Sequence, residues 1–162
     1  MPWFRRGEAA PLVPTGPQPD QGDSPEALQA AITSVVRLIN ASAGRLPLRA
    51  VVAARRITDV LTEIVDTSDI RPLDVYAVIS VRAAATDYLP TTLRTYLAVD
   101  DELVDVPGAS GRTPAASLME QLDALEGSAT AVLAAAQAQD VDALMTQGSF
   151  LRTKFTGSDL DL

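Results

Sequence analysis

The sequence has no cysteine and no histidine, and a single lysine, Lys154, among 162 residues. Without cysteine there is no disulfide framework, no thiolate nucleophile and no sulfur-ligated metal, and a reducing cytoplasm is the compartment expected. Without histidine the commonest general base is missing, together with imidazole-held zinc and the glutamate–histidine pairs of di-iron helical bundles. Aromatic residues make up only 4% of the chain, too few for the aromatic and β-branched surfaces that pair strands. No window approaches the roughly 18 apolar residues of a membrane span, and the MPWFRRGEAAP start has no apolar run after its charges. The expectation is therefore a protein neither secreted nor integral to a membrane, without cofactor, metal or catalytic residues, and not an enzyme.

Hydrophobic residues reach 47%, and the abundance of alanine and leucine favours close-packed helices. The fold expected is all-α, an antiparallel bundle of about five helices in one domain. A formal charge of -8 argues against general affinity for nucleic acid, whose binding rests on neutralising phosphates. That charge is unevenly spread. Residues 1–58 hold seven arginines and four carboxylates, a balance of +3, whereas residues 59–162 hold six basic and 17 acidic groups, a balance of -11.

Prolines and glycines crowd the segment from Gly7 to Asp23, so residues 1–23 read as a flexible tail carrying a Trp3-Phe4-Arg5-Arg6 tip. The body, 24–156, opens at Ser24-Pro25-Glu26, a helix cap, a first-turn proline and a carboxylate suited to the helix dipole. The first helix shows an apolar stripe of Leu28, Ile32, Val35 and Ile39, and runs to about Asn40. A second, from about Pro47 to Asp66, carries Ala50, Ala54, Ile57, Leu61 and Ile64 on one face. A long third helix is expected from Pro72 to Ala98, with Val75, Val78 and Ile79 inward. Pro90 lies in its middle, removing one backbone donor, so the helix must bend there, with Asp87 and the Thr91-Thr92 pair compensating.

After the acidic run Asp100, Asp101, Glu102 and Asp105, an exposed loop leads to a capped start at Thr113-Pro114. The stripe Leu118, Leu122, Leu125, Ala129, Val132 and Ala136 keeps phase across Gly127, predicting one continuous fourth helix that packs within the monomer or across a dimer. Asp140 caps a last helix with Val141, Leu144, Met145, Leu151 and Phe155 inward, before an acidic tail at 157–162.

Lys154 has no serine on its helical face and reads as a surface lysine near a helix end. The acidic loop lacks the alternating ligands and central glycine of a calcium loop, and Gly108 and Gly111 follow no strand and precede no lysine, which excludes a phosphate loop. More informative is the span from Ala27 to Thr58, with five arginines and no carboxylate. Arg45, Arg49 and Arg56 are four and seven apart, a spacing that lines one flank of the second helix and predicts a positive strip. Such a strip serves an acidic protein, a phosphate-bearing ligand or an anionic membrane, or else faces the acidic helices of its own bundle; Arg55 has Asp59 one turn on as partner. Arg82, beside the third helix's stripe, is expected to be half buried and paired with a carboxylate of a neighbouring helix. The Trp3-Phe4-Arg5-Arg6 tip suits a groove on a protein or a weak contact with a bilayer surface.

The DYLPTTL segment around Pro90, with MEQLDALEG (119–127) and GSFLRTKF (148–155), resembles the XpaC-like proteins of actinobacterial type, which are linked with phosphate-ester hydrolysis and tellurite resistance. The resemblance covers about residues 71–155 and implies an accessory role in envelope stress or toxic-anion resistance, with no catalytic constellation among the matching residues. Together these features lead to a cytoplasmic helical adaptor that works through contacts with a protein partner, homo-oligomers included. The alternative is a membrane-associated protein that meets anionic lipid through its tip and its arginine-rich hairpin.

Overall fold

A computed structural model describes residues 21–156. A 3-10 turn, Gln21–Asp23, leads into helices α1 (Pro25–Ser42), α2 (Leu48–Asp66), α3 (Val75–Ala83), α4 (Leu89–Leu97), α5 (Pro114–Ala138) and α6 (Val141–Thr156). A π-helical turn, Ala84–Tyr88, joins α3 to α4 without a break, so the described residues form five rods. Among the described residues there is no strand, and no helix is long and apolar enough to cross a membrane.

Four of the rods begin with a side chain that occupies free amides of the first turn. The Ala27 amide donates to Ser24 Oγ at 3.1 Å, Tyr76 to Asp74 Oδ1 at 2.8 Å, Ala116 to Thr113 Oγ1 at 3.0 Å and Ala143 to Asp140 Oδ1 at 3.0 Å. Each such cap stabilises its helix by about 1 kcal/mol. The α5–α6 reversal is tight: Gln139 turns left-handed at φ 57°, and the Asp140 amide reaches back to the Ala135 carbonyl.

Successive rods alternate in direction, so α2 and α5 run parallel, as do α3 and α6. Gln137 of α5 reaches Glu63 of α2 at their C-terminal ends, and α2 and α5 form the bundle's most extensive pairing. The predicted stripes of α1 and α2 are buried throughout, and those of α5 from Leu118 to Val132. Helix α5 is unbroken across Gly127, and its leucines lie among the chain's own helices.

The third rod differs from its expected form in two ways. It starts at Val75, not Pro72, and Val75 and Ile79 lie outside, at 59% and 43% exposure, while Ala77, Ser80, Val81, Ala84 and Ala85 face the core. Small residues are inside because α3 lies close against both α1 and α6; a carbon added at Gly148 of α6 would sit 3.8 Å from Ser80 Oγ. In α6 likewise, Val141 and Met145 are exposed and only Leu144 and Leu151 are fully buried.

The irregularity lies ahead of Pro90 rather than at it. Ala77, Val81, Ala84, Leu89, Leu93 and Tyr96 are buried at steps of four, three, five, four and three residues, with Ser80, Ala85, Pro90 and Thr92 buried beside them. The five-residue step is the π turn, in which the Leu89 amide donates to the Ala84 carbonyl. In a regular α-helix the ring of Pro90 would meet the carbonyl of Thr86. The wide turn places the disruption where a donor is missing in any case and brings both halves of the rod to face the core. Thr91 Oγ1 donates to Asp87 Oδ1 at 3.2 Å, the local compensation anticipated from the sequence.

Ser80 Oγ is the one buried side-chain polar atom among the described residues without a partner. Its hydroxyl has lost water and gained nothing, a cost of roughly 1–3 kcal/mol. Ser80→Ala removes that cost and adds helix propensity. The variant is expected to be more stable by about 1 kcal/mol, read as a raised urea midpoint at unchanged m-value; a midpoint at or below the parent's would show that the hydroxyl is satisfied.

Candidate functional site

The structure divides the predicted arginine strip. Arg45 is not on α2 at all: Pro47 begins that helix, and Arg45 belongs to the preceding turn, where its guanidinium donates to the Leu97 carbonyl at 2.7 Å. It closes the C-terminus of α4, the end at which a helix favours positive charge. Arg55 donates to the Asn40 side chain on α1, not to Asp59. Arg82 is half buried as expected, but its partner, Asp23 at 2.5 Å, lies in the 3-10 turn before α1 rather than on a neighbouring helix. This ion pair fastens the N-terminal side of the body to α3.

Arg49 and Arg56 remain. Both are exposed on α2, and among the described residues neither forms an ion pair. Two apolar side chains share their face: Leu48, 78% exposed, and Val52, four residues further on. Residues 49, 52 and 56 are three and four apart, so the guanidiniums bracket Val52 along one ridge. Arg49 also lines a cleft of about 570 Å³ with Pro47, Ala115, Met119, Glu120 and Asp123. The carboxylate of Glu120 across that cleft is taken by Arg112, and neither Glu120 nor Asp123 forms an ion pair with Arg49. The positive strip was legible in the sequence. Its apolar half was missed, although Leu48 and Val52 fall off the buried stripe of Ala50, Ala54 and Ile57.

The other candidates are accounted for locally. Lys154 stands 5.9 Å from the centroid of the Phe150 ring, a cation–π contact within its own helix. The acidic loop after Val99 is exposed, and among the described residues no group of three or more carboxylates is arranged to hold a metal ion. The loop lies near enough to Tyr96 to act on it: burial raises that phenol's pKa, and Asp105 and Asp101 raise it further. Tyr88 is shifted the same way, by burial first and Asp87 second, against a lowering from Arg152; its ring stacks on Phe155 with centroids 5.0 Å apart. Trp3, Phe4, Arg5 and Arg6 lie outside the described residues. Comparison with known proteins finds no matching family model, no similar curated protein and no similar solved structure.

Proposed function

We propose that this protein is a non-enzymatic helical adaptor whose exposed α2 face, Leu48, Arg49, Val52 and Arg56, docks an acidic protein partner. The observation that carries the reading is the pairing of two exposed guanidiniums, each without an ion pair among the described residues, with two exposed aliphatic side chains on one rigid helix. Arginine beside apolar contact area is the composition that protein interfaces favour, and a carboxylate-rich partner would supply what the strip lacks. A setting in envelope stress or toxic-anion resistance rests on the XpaC-like resemblance alone.

The test is a crosslinked pull-down from native-host lysate with three baits: the parent, Arg49→Glu/Arg56→Glu, and a chain lacking residues 1–20, which keeps the Asp23–Arg82 ion pair. Both arginines are exposed, so the charge reversal should leave the fold within about 0.5 kcal/mol of the parent, checked by thermal melting. The expected result is a stoichiometric partner held by the parent and lost on charge reversal. Retention by the truncated chain would place docking on α2, and loss would bring the Trp3–Arg6 tip into the contact. If no protein is enriched while the parent floats with anionic vesicles and the charge-reversed variant does not, the surface is a membrane contact and the adaptor reading falls.

A further inference from the structure

Helix α6 joins the bundle through a reversal of two residues, Gln139 and Asp140. Gln139 holds φ 57°, the one non-glycine residue with a left-handed backbone among the described residues. Its side-chain carbon crowds the backbone there, a strain that glycine avoids and that an α-helical conformation relieves. The residues before it, Ala134-Ala135-Ala136-Gln137-Ala138, favour helix, and no proline or glycine lies between Ser128 and Gln147 to stop one. In a continuous helix the amides at the start of α6 would pair with the carbonyls at the end of α5. Against continuation stands Asp140, whose carboxylate accepts from the Ala143 amide at 3.0 Å and starts α6 afresh.

Beyond the turn, α6 packs on α3 and α5 with Leu144 and Leu151 as its buried side chains. The rest of its seat is small or polar: Gly148 faces Ser80 Oγ, which has no partner, and Gln147 Oε1 accepts from Ser128 Oγ at 3.0 Å. We propose that two copies of this chain exchange α6. Gln139 and Asp140 then join α5 and α6 into one helix over 114–156, about 65 Å long at about 1.5 Å per residue, and each α6 seats on α3 and α5 of the other copy. The seat fits a second copy's α6 as it fits the chain's own, because the side chains that meet are the same and only the hinge changes. A short hinge under strain is the arrangement that favours such exchange. An exchanged pair carries two copies of the α2 face, and the exchange does not depend on what that face binds.

The full chain is refolded from urea at low micromolar and at near-millimolar concentration, and its mass is read by size exclusion with light scattering. The parent is expected to be monomeric at the lower concentration and to include a dimer at the higher. Gln139→Gly removes the strain and weakens the continuous helix, so the dimerisation constant should fall by about tenfold or more. Asp140→Ala removes the cap and strengthens that helix, so the constant should rise by a factor of about ten. Both positions are exposed, so neither change disturbs the core. The chain has no cysteine, and a carbon added at Gly148 lies 3.8 Å from Ser80 Oγ, so Ser80→Cys/Gly148→Cys supplies one reporter pair. On mild oxidation the pair closes within a chain in the monomer and between chains in an exchanged dimer, which a non-reducing denaturing gel shows at twice the mass. A dimer whose cysteines close within each chain is a side-by-side association and would overturn the exchange. So would parent and Asp140→Ala chains that both stay monomeric, or a Gln139→Gly chain that dimerises as strongly as the parent.

Discussion

Deleting Thr86, an exposed residue inside the π turn, is expected to destabilise the bundle by about 3 kcal/mol while leaving the inward face of its third rod unchanged. Removing one residue would convert the five-residue turn between Ala84 and Leu89 into an α-helical four, which keeps Leu89, Leu93 and Tyr96 toward the core as the four-residue step from Ala77 to Val81 does. What is lost is the wide turn ahead of Pro90: in a regular helix its ring meets the carbonyl four residues before it, costing about 3 kcal/mol, a large part of the ~5–15 kcal/mol that holds a domain together. Two controls isolate the cause. Thr86→Ala keeps the length and should melt with the parent, and Pro90→Ala should lose only about 0.4–1 kcal/mol, the entropy that proline removes from the unfolded chain. A deletion variant that still melts cooperatively within about 1 kcal/mol of the parent would mean that the π turn is not what accommodates Pro90.

The second large effect is expected at Leu122. It is fully buried midway along α5, the rod that contacts α2, α3, α4 and α6, so no single neighbour can move to fill the space left by its side chain. Leu122→Ala should destabilise by roughly 2–5 kcal/mol, with the loss growing with the volume of the cavity that remains. Phe150→Ala removes a larger side chain from α6 but at a site 45% exposed, and should cost only about 0.5 kcal/mol. Urea denaturation of the two side by side settles the matter: equal losses would show that α5 is not the centre of the core.

Helices α1, α2 and α5 were legible because cap and periodicity agree. Ser24, Pro25 and the Leu28–Ile39 stripe each point to the same start and the same inward face, as do Thr113, Pro114 and the leucines of α5. Asp140 was readable as a cap for the same reason. Helix α3 was misread because bulk was taken as a proxy for burial. Val75 and Ile79 are larger and more apolar than Ala77, Ser80 and Ala84, yet close approach of three helices admits only the small residues. With alanines counted as core, Ala84 and Ala85 both face inward, so the core pattern alone does not reveal the extra residue of the π turn. Arg45 was placed on α2 by spacing alone, whereas Pro47 marks the first point at which a helix could begin. Arg55 pairs with Asn40, 15 residues before it, rather than with Asp59 one turn on, and Arg82 with Asp23, 59 residues before it in a 3-10 turn, rather than with a carboxylate of a neighbouring helix. For the α2 surface, the basic half follows from composition. The exposure of Leu48 and Val52 depends on how α2 sits against α1 and α5, which no local pattern encodes.

Helix α6 holds to the bundle through two fully buried leucines in 16 residues, far fewer than α2 or α5. Its amides should therefore exchange with solvent well before those of the central rods, through openings that leave the rest of the bundle closed. Since Gly148 of α6 lies against Ser80 of α3 and Phe155 stacks on Tyr88, such an opening also bares the side of the third rod that α6 covers. Deuterium uptake along 141–156 then reads how often the last helix lifts, and uptake as slow as that of α5 would mean that α6 opens only with the whole bundle.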